Sequence, residues 1–251
     1  GSLFPIIIVA AFVTVLSTFI RTVFGCTFPE LILNCIHPVV ASVDNVFGLA
    51  FGSALTQIVW WFGIHNTSVT GILEPLMMSN YAANAAAYSA GTATTALPHI
   101  WTEPLWWNFM VIGGSGATLG LVLLTLRSKS KQLKTIGKLS LVPAFFNINE
   151  PVIFGLPIVL NPLFFVPWLT AQTANGIITY LVMEVGLVNR TFVDPGWNMP
   201  PIIGQFLATL DWRAVILAIA LIVLDALIYY PFLKVYERQK LKEESAEGVG
   251  E

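Results

Sequence analysis

Between Lys138 and Glu184 a single side chain carries a charge, that of Glu150. The surrounding residues 139–169 are mostly Phe, Val, Leu, Ile and Pro. Soluble domains carry about 25% charged residues. This chain of 251 residues has 10%, against 56% hydrophobic, and a mean hydropathy of +0.76. Such apolar runs need lipid as their solvent, and the chain reads as an all-α polytopic membrane protein.

A helix crosses a bilayer with about 20 apolar residues. Five stretches meet that need: residues 3–24, 45–63, 104–126, 161–183 and 212–232. Residues 29–45 are shorter and mixed, and read as a linking or interfacial helix. Residues 46–238 then form one transport domain, residues 1–28 a preceding span, and residues 239–251 a polar, disordered tail. Two basic clusters flank spans, one of Arg127, Lys129, Lys131, Lys134 and Lys138, the other of Lys234, Arg238, Lys240 and Lys242. Basic residues beside spans mark the cytoplasmic side, which puts the carboxy terminus inside a cell membrane. Beside apolar spans they do not read as a nucleic-acid surface. The opening Gly1-Ser2 reads as a cloning scar on a chain that starts partway through a longer protein.

Three apolar segments are broken: residues 65–91, 139–160 and 193–210. The second carries Pro143, Pro151 and Pro157, the third Pro200 and Pro201. Proline removes a backbone donor, and irregular backbone at bilayer depth survives only against protein or a water-filled cavity. Paired broken helices point to a transporter's binding site. The first two segments therefore read as re-entrant hairpins.

Glu150 is the foremost candidate, because an acid at bilayer depth costs roughly 2.5–3.5 kcal/mol on insertion scales. No cation lies near it in sequence to pair with it. It suits a carboxyl that accepts hydrogen bonds from substrate hydroxyls, with Asn147 and Asn149 as further donors and acceptors. His65 stands where a span gives way to the polar run Asn66-Thr67-Ser68. Trp60, Trp61 and Trp197 are candidates for stacking on a sugar ring, with an interfacial belt as the competing reading; Trp106 and Trp107 read as belt. The run from Gly113 to Gly120 lacks the Lys of a nucleotide-binding loop. In it Gly113 and Gly114 can expose backbone to a ligand, while Gly116 and Gly120 form a small-residue packing face. Asp225 and Glu184 read as packed or interfacial acids, His37 and His99 as structural, and Cys26 and Cys35 as apolar filler. No metal spacing is present, and no cofactor is implied.

The run Asn147-Ile148-Asn149-Glu150-Pro151-Val152-Ile153-Phe154-Gly155-Leu156-Pro157 resembles the membrane component, IIC, of phosphotransferase-system sugar permeases, in the lactose/cellobiose/diacetylchitobiose family. Gly63-Ile64-His65, the glycine run, Lys129-Ser130-Lys131-Gln132-Leu133-Lys134 and Tyr229-Tyr230-Pro231-Phe232 match in order. The resemblance implies a homodimeric permease of about ten spans, of which this chain holds the substrate-binding second half plus one preceding span. It implies five transmembrane helices and two re-entrant hairpins here. A β-linked disaccharide would be carried across the bilayer and phosphorylated at its 6-hydroxyl by a phosphocysteine on a separate IIB protein, itself fed through IIA from phosphoenolpyruvate. The chain would thus be the membrane-embedded substrate-binding subunit of a phosphotransferase. Glu150 and His65 would lie near that hydroxyl, and Asn149, Trp60 and Trp197 at sugar contacts. Asn66 stands where the family often has Gly. The rival readings are a proton- or sodium-coupled secondary transporter with Glu150 as coupling acid, and an intramembrane hydrolase, for which no second acid lies near Glu150.

Overall fold

The computed structural model of the chain describes residues 3–27 and 44–247. Most of the expected linking helix, with His37 and Cys35, lies outside them. The described residues are helical, with no strand among them, and divide into two units, Gly1–Val43 and Asp44–Glu251.

In the first unit, α1 (Leu3–Phe24) covers the first expected span. Thr14, Thr18 and Thr22 each donate to the carbonyl four residues back, at 2.8 Å. That satisfies each hydroxyl within the helix itself and leaves an apolar surface on which Ile8, Phe12, Val15 and Phe19 are exposed.

The second unit begins with α2 (Val46–Trp61), α3 (Thr67–Ser89) and α4 (Glu103–Leu105, running into a π-turn, Trp106–Met110). It continues with α5 (Leu119–Thr125), α6 (Lys131–Phe145), α7 (Glu150–Gly155) and α8 (Pro162–Glu184). It closes with α9 (Ile203–Thr209) and α10 (Trp212–Glu247). Helix starts follow local chemistry. Asn45 caps α2, accepting from the amides of Phe47 and Gly48 at 3.0 Å. Asn161 does the same for Leu163 in α8, where Pro162 fills the first position and sacrifices no bonded donor.

Helices α2 and α8 pack antiparallel through a polar seam. Trp168 Nε1 donates to the Gln57 carbonyl at 3.0 Å, and Thr173 Oγ1 to Ser53 Oγ at 3.1 Å. Gly176 brings α8 onto Leu49 and Met110; a Cβ there would stand 2.5 Å from Leu49 Cδ2. The interior holds Thr56, Gln57, Asn84, Gln172, Asn175 and Thr179 fully buried, while Phe47, Phe51, Val142, Phe154, Ile216 and Leu227 are exposed. Polar side chains inside and large apolar ones outside are the arrangement suited to a lipid solvent. By length and composition, Trp212–Ala246 can cross a membrane, and Ile8–Phe24 and Val46–Trp61 are apolar but shorter.

Three expectations change. Residues 104–126 are not one helix. After the π-turn, Gly113, Gly114, Gly116 and Ala117 all take positive φ, which no helix accommodates, so the chain turns before α5. Residues 65–91 are a short turn followed by one 23-residue helix, α3, which contains Pro75. The tail is not disordered through residue 247, because α10 continues through it, with Lys240 paired to Glu243 at 2.7 Å.

Candidate functional site

Two chain turns meet at one cavity. The first follows α2: Trp60 closes the helix, Gly63 turns with φ 86°, and His65 and Asn66 precede α3. The second follows α6. Asn147 takes φ 58° just past the helix end, a left-handed position that Asn tolerates, and Asn149 and Glu150 then open α7. The cavity, of about 280 Å³, is lined by Trp60, His65, Asn66, Thr67, Trp107, Val111, Ser115, Asn147, Asn149, Glu150 and Trp197.

Glu150 is exposed to this cavity rather than packed against aliphatic neighbours. Among the described residues it has no hydrogen-bond or ion-pair partner, so its carboxylate oxygens face the cavity as free acceptors. His65 is also exposed. Its Nδ1 lies 3.0 Å from Thr67 Oγ1 and accepts from the Thr67 amide at 3.4 Å. The Thr67 amide directed at Nδ1 makes that nitrogen an acceptor, which leaves Nε2, the free edge, as the donor in the neutral tautomer. Trp60 backs the imidazole, with ring centroids 4.4 Å apart, and meets Trp168 edge-on at 6.1 Å. The cavity thus offers an acceptor at Glu150 and a donor at His65 between indole surfaces.

The asparagines are held firmly. Asn149 Nδ2 donates to the Ser115 carbonyl at 2.6 Å and to Thr118 Oγ1 at 3.2 Å. Asn147 Nδ2 donates to the Trp197 carbonyl at 2.7 Å, and its Oδ1 accepts from the Gly113 amide at 2.8 Å. Asn66 Nδ2 donates to Ser115 Oγ at 2.8 Å, while its Oδ1 is buried without a partner. A buried acceptor left unpaired costs about 1–3 kcal/mol, a cost that the Ser115 bond of the same side chain offsets in part. The Gly113 and Gly114 amides are engaged by Asn147 and by the Val111 carbonyl, and the Asn149 side chain sits where a Cβ on Gly114 would be.

Sequence reasoning missed Trp107, Thr67, Val111 and Ser115. Trp107 lines the cavity, and Trp106, also read as belt, is buried and stacked on Trp101 at 6.5 Å. The one hint is position, since both tryptophans precede the glycine break by a few residues as Trp197 precedes Pro200, and position alone does not tell a cavity from a headgroup layer. Other readings stand as structural. His99 Nδ1 pairs with Asp44 at 2.6 Å. Asp225 is buried and accepts from Asn175 Nδ2 at 3.1 Å. Gly120 meets α10 closely, since a Cβ there would lie 2.5 Å from the Ala226 amide nitrogen.

Comparison with known proteins settles the kinship of this arrangement. A family model described as "Phosphotransferase system, EIIC" matches residues 1–171. The chain belongs to that family. It is 39% identical over 227 residues to the putative permease IIC component YwbA of Bacillus subtilis (strain 168), covering 87% of this chain and 50% of the relative. It is 37% identical to the lichenan permease IIC component of the same organism, covering 90% and 51%. Among solved structures it resembles the transporter ChbC, the IIC component from an N,N'-diacetylchitobiose-specific phosphotransferase system, with TM-score 0.80 and 32% identity over 97% of this chain and 57% of that one. The chain spans about half the length of the curated relatives it matches. The IIC family are integral membrane permeases, which fits the inverted polarity of the fold. The comparisons lend no support to the ion-coupled secondary transporter, and among the described residues Glu150 is the one acid that lines the cavity.

Proposed function

We propose that the chain is the substrate-binding portion of a IIC sugar permease. It binds a β-linked disaccharide and presents the 6-hydroxyl to a phosphocysteine on a IIB partner, which is recharged by IIA. The observation that carries this reading is the convergence of Glu150 and His65, 85 residues apart in the chain, on one indole-walled cavity. A sugar needs apolar faces for its C–H surface and acceptors and donors for its rim. Trp60, Trp107 and Trp197 supply the first; Glu150 and His65 supply the second. The names of the similar proteins, lichenan and diacetylchitobiose, favour β-linked sugars.

In the transfer, the sugar oxygen forms its bond to phosphorus as the sulfur–phosphorus bond breaks. The hydroxyl proton passes to the Glu150 carboxylate and the IIB cysteine leaves as thiolate. Phosphoryl transfer asks mainly for positioning and charge management, which a lone carboxyl group and an imidazole provide. The turns at 62–66 and 146–149 act as the tips of two re-entrant elements that carry the sugar between membrane faces. Homodimerisation resides in the part of the full-length protein that precedes this portion. The basic clusters support a cytoplasmic carboxy terminus. Glu237 of α10 accepts from Ser128 Oγ and the Lys129 amide, so both clusters sit at one end of the bundle.

The test is binding and phosphoenolpyruvate-dependent phosphorylation of a panel of β-linked disaccharides by the full-length protein with its partners. Glu150→Gln is expected to abolish phosphorylation and weaken binding. Phosphorylation at the wild-type rate by that variant would overturn the role.

A further inference from the structure

Among the described residues no hydrogen bond joins the two tips of the site directly; what joins them is the turn at 113–118. On one side Ser115 Oγ accepts from Asn66, the neighbour of His65, at 2.8 Å. On the other the Ser115 carbonyl accepts from Asn149, the neighbour of Glu150, at 2.6 Å. Gly113 binds Asn147 through its amide. Thr118 Oγ1 closes the turn onto the Gly113 carbonyl at 2.6 Å while accepting from Asn149. One residue, Ser115, therefore sets the spacing between the carboxylate side and the imidazole side.

The turn is itself held from behind, away from the cavity. The amide of Gly116 donates to Gln172 Oε1 of α8 at 2.9 Å, and that oxygen also accepts from Gln57 Nε2 of α2 at 2.8 Å. The Gly116 carbonyl accepts from Tyr229 of α10 at 2.7 Å. Gln57, Gln172 and Tyr229 are fully buried, and none lines the cavity. Gly116 has φ 76°, and the Trp168 indole occupies the place of a Cβ, so only glycine offers both of its backbone groups here. Ala117, next in the chain, also takes positive φ, 53°, which costs a non-glycine residue about 1–3 kcal/mol; buried side chains that bond both groups of Gly116 keep the turn in place.

We propose that Gln172 and Tyr229 are positioning residues for sugar recognition: through Gly116 they fix the 113–118 turn, and the turn fixes the separation of the His65 and Glu150 sides of the site. The proposal rests on the sugar-binding reading above. Neither residue touches the sugar; each acts through backbone that carries the asparagines.

The experiment uses the full-length protein in lipid nanodiscs, with cellobiose as probe. Tyr229→Phe keeps the ring and removes the hydroxyl. Without sugar, it is expected to speed amide hydrogen exchange at residues 113–118 and at both tips, 65–67 and 147–150, while α2 and α8 keep wild-type rates. Ser115→Ala, which cuts the Asn66 link alone, speeds exchange at 65–67 but not at 147–150. Cellobiose affinity falls on the order of tenfold in Tyr229→Phe, as expected for one buried hydrogen bond. In the Ser115→Ala background the same change costs about twofold, because residues acting through one network are not additive. Exchange that rises at only one tip in Tyr229→Phe, or fully additive losses, would overturn the proposal. Should Tyr229→Phe fail to fold, Gln172→Met, which keeps the shape and removes the oxygen that accepts from Gly116, is read in the same way: faster exchange at both tips supports the proposal, and at one tip or neither overturns it. Wild-type protein that ignores every β-linked disaccharide would count against the sugar reading, and the sugar-free exchange pattern would still decide the positioning role.

Discussion

His65 shows how much one side chain's surroundings decide. With Nδ1 occupied by Thr67, its remaining nitrogen can only donate in the neutral form. His65→Gln keeps a donor at similar reach, whereas His65→Ala removes it and uncovers the Trp60 face. Sugar affinity measured calorimetrically should therefore fall by about tenfold or more in His65→Ala, the worth of a hydrogen bond plus lost packing, and by clearly less in His65→Gln. Equal losses would mean that the ring acts only as filler. The sequence made Glu150 legible because a lone acid in an apolar run has few structural excuses, and made His65 legible by the abrupt change to polar residues after it. Trp107 was not legible. An indole beside a span looks the same whether it meets headgroups or a cavity, and only the π-turn, which local residue preferences do not announce, rotates it inward.

At the scale of elements, the helix ends and close contacts carry testable weight. Asp211 precedes α10 just outside its apolar run. Burial pushes its carboxyl up, but the Arg213 guanidinium and the amides of Arg213 and Asn189 outweigh this and hold it below the usual aspartate range. A folded-state value below the unfolded one, about 3.9, means the stabilisation is complete above that pH and is lost as pH falls through the folded value. Asp211→Asn, which takes the charge out of the bonds to Arg213 and Asn189, should lower stability by about 1 kcal/mol at pH 6. The gap in thermal midpoint between wild type and variant should close toward pH 3, measured by nanoscale fluorimetry in detergent. Gly120 gives a second case. A methyl group there would press on the α10 backbone, which cannot rotate away, so Gly120→Ala should cost about 1–3 kcal/mol by overpacking; an unchanged melting curve would show the helices free to part. Elements with clean apolar runs, such as α2 and α8, were readable from sequence. The stretch 104–126 was misread, because its glycines are also what tight helix packing uses. Only the positive φ values decide between the two, and Gly120 and its predecessors turn out to serve one purpose each.

Across the whole molecule, one helix ties the two basic clusters together. The 36 residues of α10 come to roughly 54 Å at 1.5 Å each, well beyond a hydrocarbon core of about 30 Å. The excess is not idle. Glu237, paired with Lys234 at 2.6 Å, accepts from Ser128 Oγ at 2.5 Å and the Lys129 amide at 2.7 Å. Two turns on, Glu244 accepts from Ser130 Oγ at 2.6 Å and the Gln132 amide at 3.0 Å. Both carboxylates thus bind the loop that opens α6, the helix whose far end carries Asn147, Asn149 and Glu150. The expectation of a disordered tail failed because polar composition alone cannot show that its acids have backbone donors waiting on another element. Arg127, Lys129, Lys131 and Lys134 are exposed, yet this clamp ties the backbone between them to α10, so that it cannot lift away into a protease's cleft. Paired Glu237→Gln and Glu244→Gln substitutions should therefore speed tryptic cleavage at residues 127–134 by tenfold or more, given a loss of about 1–3 kcal/mol for charged hydrogen bonds. Cleavage elsewhere should keep its wild-type rate, followed by mass spectrometry of the protein in nanodiscs. If the loop is cut no faster, the tail is an adornment and α6 is anchored by its buried face of Leu133, Gly137, Ser140 and Ala144 alone. If it is cut faster while sugar binding also weakens, the start of α6 and the acid at its far end move as one body.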